Sequence, residues 1–412
     1  MRRNKKALLI GFLMGILLAS LIWGVVVLWN CHFPHLQEKE TLKNQQMSEY
    51  GETEQQNMDT ENEIDIENND QEAGEAGDDE ISANGESVNL VGIDLGQFKA
   101  LQNLEMYTYS NLEMDAKLLL QAFSDLVTMD SLGTTADGRS IYHFLAGNPD
   151  AKTKIFINGG IHGREYMTCQ LVMKQLINYL QHIKMQEIYG DTSYLEMWES
   201  CAVHVVPMIN PDGVTISQYG LSGLKSEAVR ANVEAIAQRE GGFGDAYYYK
   251  RWKANANGVD LNRNFDALWE QYDDQVGQPS ADHYKGTYPG CEVEASSLIN
   301  LTEQESFDLT ISYHTQGSVV YWYFGQEGAL YNDTKEAAEL VASLTGYPTD
   351  ANYEYLDPAG FKDWCIDKKG IPGLTIEIGT ETSPVPPEQF DDIFSRNQYV
   401  WEELIRWAMP NE

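Results

Sequence analysis

His162 and Glu165 stand three residues apart in Asn158-Gly-Gly-Ile-His162-Gly-Arg164-Glu165, just after the apolar run Ile155-Phe-Ile157. An imidazole and a carboxylate at that spacing suit zinc, but a catalytic centre takes three protein ligands and a water. His314, in Leu309-Thr-Ile-Ser-Tyr-His314, closes a second short β-rich run and is the candidate third ligand. Glu377 lies inside a third run, Leu374-Thr-Ile-Glu377-Ile. A carboxylate buried there without a partner costs several kcal/mol, so a functional partner is favoured. Within reach of a metal-bound water it would take the proton and return it to a leaving amine. Trp252-Lys253-Ala-Asn255-Ala-Asn-Gly-Val-Asp260-Leu-Asn262-Arg263-Asn264-Phe is too polar and glycine-punctuated for a core element. Its amide and cationic groups suit an anion, since an arginine beside an asparagine can grip a carboxylate in two places. Asp260 is a candidate to orient a histidine ligand from behind.

Taken in order, the His-x-x-Glu pair, Asn210-Pro-Asp-Gly213, Asp260-x-Asn262-Arg263-Asn264, His314 and Glu377 resemble the zinc carboxypeptidases. These are the carboxypeptidase A-like metallopeptidases, and the resemblance covers roughly residues 100 to 410. It implies one Zn2+ held by His162, Glu165 and His314, with Glu377 as general base and acid. It also implies that Asn262 and Arg263 bind the substrate carboxylate, that Arg164 polarises the scissile carbonyl, and that Tyr355 caps the substrate. Two positions depart from the family. Lys253 stands where the family commonly has an arginine as oxyanion clamp, and a lysine supplies charge without the planar two-pronged donor. Lys362 lies in the segment that sets side-chain preference. The Trp-Lys-Ala-Asn and Phe-Lys-Asp-Trp patterns resemble the bacterial branch that cuts γ-D-glutamyl-diamino acid bonds in cell-wall peptides. On that reading Lys362 offers its ammonium to an acidic or diaminopimelate residue.

The elements that must position these groups form an α/β pattern. Strands are expected over 155–158, 202–207, 309–313, 319–323 and 374–378, and helices over 114–127, 166–181, 291–302, 334–345 and 387–409. Such alternation predicts a mixed, mostly parallel twisted sheet with helices on both faces. Ligands bind beyond the carboxyl ends of such strands, where His162, His314 and Glu377 would gather. His32, His35, His143, His182, His204 and His283 are read as ordinary surface or core residues.

The chain of 412 residues has room for this domain and more. Residues 1–6 form a basic, cytoplasmic tail and 7–29 an uncharged apolar stretch. A bilayer takes about 20 apolar residues as a helix, whereas a cleaved signal peptide has an apolar core of only about 7–15. The expectation is therefore an uncleaved single-pass anchor, with Arg2, Arg3, Lys5 and Lys6 on the cytoplasmic side. Residues 30–94 read as an acidic linker too polar to offset its ordering entropy, hence disordered. Residues 95–412 are then the extracytoplasmic catalytic domain. The net charge of -35 excludes nucleic acid as a partner. Five cysteines, Cys31, Cys169, Cys201, Cys291 and Cys365, include no Cys-x-x-Cys pair, which argues against a cysteine zinc site.

The leading expectation is a monomeric, membrane-anchored zinc metallocarboxypeptidase acting on peptides, cell-wall stem peptides among them. An amidohydrolase that deacylates small amino-acid conjugates, and an inactive peptide-binding module, stay open. The intact Asn262-Arg263 pair and Tyr355 favour the peptidase over the first. The retention of every ligand and of Glu377 weighs against the second.

Overall fold

The computed structural model describes residues 89–90 and 93–410. The expected anchor over 7–29 and most of the linker lie outside the described residues, among which no helix is long and apolar enough to cross a membrane.

Eight strands make one sheet: β1 (Val127–Thr134), β2 (Ser140–Ala146), β3 (Thr153–Asn158), β4 (Cys201–Val206), β5 (Leu309–Thr315), β6 (Val319–Tyr321), β7 (Thr349–Asp350) and β8 (Gly373–Ile378). Their order is β7-β6-β8-β5-β3-β4-β2-β1. The central strands β8, β5, β3 and β4 run parallel. Antiparallel neighbours β6 and β2 flank them, and β1 continues antiparallel beyond β2. The parallel strands are buried almost throughout because both faces are covered.

The two faces are separate cores, and β3 shows why. Side chains alternate along a strand, so Ile155 and Ile157 enter one core with the helix Tyr166–Lys184, while Phe156 between them enters the other. The second core takes Ala295, Leu298 and Leu301 from the helix Val293–Glu305. The mixed sheet with helices on both faces thus stands as expected.

Several boundaries differ from the sequence reading. The helix expected over 114–127 begins at Tyr109, where the Thr108 hydroxyl accepts from the Asn111 amide and Asn111 returns the bond. That reciprocal cap outweighs the apolar spacing from which the start was read. Its far end stops at Ala122, because Val127 already belongs to the unanticipated hairpin of β1 and β2. The single helix expected over 387–409 is a short turn followed by two helices, Phe390–Asn397 and Val400–Ala408. The helices Pro211–Tyr219 and Glu227–Glu240 were not anticipated.

Candidate active site

Three of the four parallel strands, β3, β5 and β8, lead the candidate residues to one edge. β3 ends at Asn158 and the chain turns through His162 to Glu165, from which the helix Tyr166–Lys184 departs. His314 and Glu377 are the penultimate residues of β5 and β8 and pair with each other in register. Both alternate with apolar residues committed to the larger core, Tyr313 on β5 and Ile376 and Ile378 on β8. The turn after β3 is folded too tightly for side chains at two positions. Gly160 has φ +61° and a Cβ there would strike the Cys169 sulfur, while a Cβ on Gly163 would strike the Gly213 carbonyl.

Glu165 is the centre of the constellation. Its Oε1 lies 2.8 Å from His162 Nδ1 and its Oε2 lies 3.1 Å from His314 Nδ1. The Thr315 amide donates to Oε2 at 3.2 Å. The two rings meet edge to face, centroids 4.8 Å apart, and one candidate ligand atom from each of the three buried residues lies within 4.8 Å of the others. Burial alone would raise the Glu165 carboxyl, but His162 and His314 outweigh it and hold it well below the usual range. Behind His162, Asp260 Oδ1 stands 3.3 Å from Nε2, and Asp260 Oδ2 accepts from Lys253 Nζ at 2.9 Å. Burial opposes ionisation of Asp260 too, yet Lys253 and His162 keep it well below its ordinary value.

These residues fit a zinc ion. Two imidazole nitrogens and one carboxylate are of the right types and number, and each ring is held from outside the set or by strand geometry. Beside them, Glu377 Oε2 is buried without a hydrogen-bond partner. The Glu377 carboxyl is pushed up to about 7, chiefly by burial and further by Glu165, with His314, Lys253 and Arg164 pulling the other way. That range is suited to exchanging a proton near neutrality.

The cationic residues ring the constellation. Lys253 is buried and bridges Asp260 and Asp282, the latter at 3.4 Å. Arg164 reaches the other Asp282 oxygen at 3.5 Å and the Arg251 carbonyl at 3.3 Å. Asn262 accepts the Phe361 amide at 3.0 Å through its oxygen, which leaves its own amide group to donate. Arg263 lies across the Tyr272 ring at 5.1 Å and pairs with Asp357 at 2.7 Å. Tyr355 is 60% exposed, on the loop that also carries Asp357.

Lys362 is paired with Asp363 and donates to the Tyr323 carbonyl at 3.3 Å. With its side chain only 10% exposed, an uncompensated charge there would be costly, so a counterion comes with it. Burial raises the Asp363 carboxyl, and Lys362 offsets part of that rise.

Sequence reading missed Asp282, Asp357 and Asp363, acids whose partners lie on the cationic residues it did find. No local pattern marks Asp282 or Asp357. The role of Asn210 was readable in part, since an asparagine before proline is a helix start. Its carbonyl accepts the Gly213 amide at 2.8 Å, and its amide donates to the carbonyls of Ile161 and Ala254 at 3.1 Å each. The four described cysteines, Cys169, Cys201, Cys291 and Cys365, are free. His143 and His204 form a buried pair at 3.0 Å away from the constellation, as ordinary core histidines.

Known proteins resemble this chain. A γ-D-glutamyl-L-diamino acid endopeptidase 1 from Lysinibacillus sphaericus is 30% identical over 299 residues, covering 72% of each chain. The YqgT protein of Bacillus subtilis is 27% identical, over 74% of this chain and 79% of its own. Among solved structures, carboxypeptidase A from Helicoverpa armigera shares the fold with TM-score 0.56 at 16% identity, over 74% of this chain and 73% of that one. The zinc carboxypeptidase family model matches residues 112–400. With that match over most of its length, the chain belongs to the zinc carboxypeptidases, metallopeptidases that use one catalytic zinc ion.

Proposed function

We propose that this peptidase is a membrane-anchored extracytoplasmic enzyme that cuts bacterial cell-wall stem peptides next to a diamino acid. The anchor rests on residues 7–29, and the catalytic domain begins near residue 95. The substrate class is supported by the relative from Lysinibacillus sphaericus and by the Lys362–Asp363 pair. A diaminopimelate side chain ends in one ammonium and one carboxylate, and that pair offers one charge of each sign.

The observation that carries the catalytic reading is the convergence of His162, Glu165 and His314 beside Glu377. His162, Glu165 and His314 would hold the zinc ion, which when bound would supply a Lewis acid and lower the pKa of a bound water. Glu377 takes the water's proton on Oε2, the oxygen without a partner, and delivers it to the leaving amine. Lys253 and Arg164 stand ready for negative charge developing on the carbonyl oxygen, held in place by Asp260 and Asp282. Asp260 keeps the His162 ring turned toward Glu165. Asn262 and Arg263 form an anion seat, and the exposed Tyr355 caps the substrate.

Incubation of the catalytic domain with defined stem peptides, followed by mass spectrometry, tests the reading. Cleavage at the bond before diaminopimelate is expected. Cleavage of unrelated peptides with equal rates and none of stem peptides would overturn the substrate class.

A further inference from the structure

The anion seat already contains an anion. Asp357 places a carboxylate oxygen 2.7 Å from Arg263 Nη2. The other terminal nitrogen, Nη1, donates to the Asn262 carbonyl at 2.9 Å. Nε of Arg263 is buried without a partner, so the guanidinium is not saturated by the protein. The arginine side chain is 14% exposed and that of Asp357 is 59% exposed, which puts the carboxylate at the mouth of the seat rather than in the core. Burial would weaken the Arg263 charge, but Asp260 and Asp357 strengthen it.

We propose that Asp357 is a specificity-determining residue: a tethered carboxylate that competes with a substrate's terminal carboxylate for Arg263. The protein thereby accepts chains that continue beyond the residue after the cut nearly as well as chains that end there. This rests on reading Asn262 and Arg263 as the anion seat. Two facts support competition. A tethered group acts at an effective concentration in the millimolar range or above, so a free terminus must displace it and gains little net affinity. A substrate without a terminal carboxylate leaves the Arg263–Asp357 pair intact and strands no buried cation. Asp357 also lies two residues from Tyr355, so the same pair tethers the loop that carries the capping tyrosine.

The test compares matched peptides that differ only in a free carboxylate or a carboxamide on the residue after the cut. The readout is the ratio of their kcat/KM values. Wild-type protein should favour the free acid by less than about 3-fold, since the seat is already filled. Asp357→Asn keeps the shape and removes the competitor, and should raise that preference about 10- to 100-fold, through KM of the free acid. Adding Arg263→Gln to Asp357→Asn should abolish the gain. If Asp357→Asn leaves the ratio unchanged while Arg263→Gln alone alters it, the seat stands and the competition is refuted. If neither variant moves the ratio, Arg263 is not the seat and the proposal falls with it. Because Asp357 is exposed, folding of the variant is checked directly by its zinc content and its melting temperature.

Discussion

His314 and Glu377 occupy the same rung of adjacent parallel strands. Neighbouring strands lie about 4.8 Å apart, so the proposed ligand and the proposed base are spaced by the sheet's own hydrogen bonds rather than by loops. Their separation is therefore as rigid as the core beneath them.

His314→Ala leaves two protein ligands, too few for a stable catalytic centre. Metal analysis of the purified variant should show strongly reduced zinc. Occupancy at wild-type affinity would remove His314 from the ligand set.

Glu377→Gln keeps the shape and removes the proton acceptor. Zinc should remain while kcat falls by about 10²-fold or more. The pH profile gives a second readout. Activity needs the carboxylate ionised, so it should be lost as pH falls through the Glu377 pKa, which stands at about 7 without the metal. A bound cation favours the ionised form, so the acid limb of kcat/KM should lie below that value. An acid limb that persists unchanged in Glu377→Gln would assign it to another group.

Lys362→Ala leaves Asp363 as the sole charge of its pair. Cleavage before diaminopimelate should fall by roughly 10-fold or more, while cleavage before lysine should hold or improve. Asp363→Asn should do the reverse, favouring glutamate in that position. Equal losses on all three substrates in both variants would show that the pair is structural and does not face the substrate.

Glu402 supplies a stability test away from the chemistry. It is buried, receives the Tyr194 hydroxyl at 3.3 Å, and is pushed up to about 7, mainly by burial. Below pH 4.5, its ordinary value, native and unfolded chains both carry the proton and nothing is lost. Between there and about 7 the unfolded chain ionises first, so stability falls as pH rises, and the loss is complete above that point. Glu402→Gln keeps the acceptor for Tyr194. It should stabilise by about 1–3 kcal/mol at pH 8 and by little at pH 4. Thermal unfolding with a chelator present at both pH values checks this. A variant destabilised at pH 8 would mean that the ionised carboxylate is held by an interaction stronger than its burial.

The parts of the molecule written in local pattern were legible in the sequence. β3, β5 and β8 are short β-rich runs, with His162 just beyond the first and His314 and Glu377 near the ends of the other two, and those three residues were the ones picked out. The hairpin of β1 and β2 was missed because half-buried strands such as Val127–Thr134 carry a mixed burial pattern with no clean alternation. The start of the helix at Tyr109 was written in Thr108 and Asn111, a cap that apolar periodicity does not register. Asp282 and Asp357 could not be found by any local rule. Asp282 meets Arg164 across 118 residues and Asp357 meets Arg263 across 94, and such pairings exist only after the chain has folded.

One side chain joins three segments of the site. Asn210 ties the loop of His162 through Ile161, the loop of Lys253 through Ala254, and its own helix through Gly213. The segment bearing Tyr355, Asp357 and Lys362 takes no bond from it, and is held instead through the Phe361 amide on Asn262 and through Asp357 on Arg263. The histidine and lysine loops thus share one anchor, while the tyrosine's segment hangs on the 262–263 turn, so a shift of that turn would move Tyr355 without moving His162.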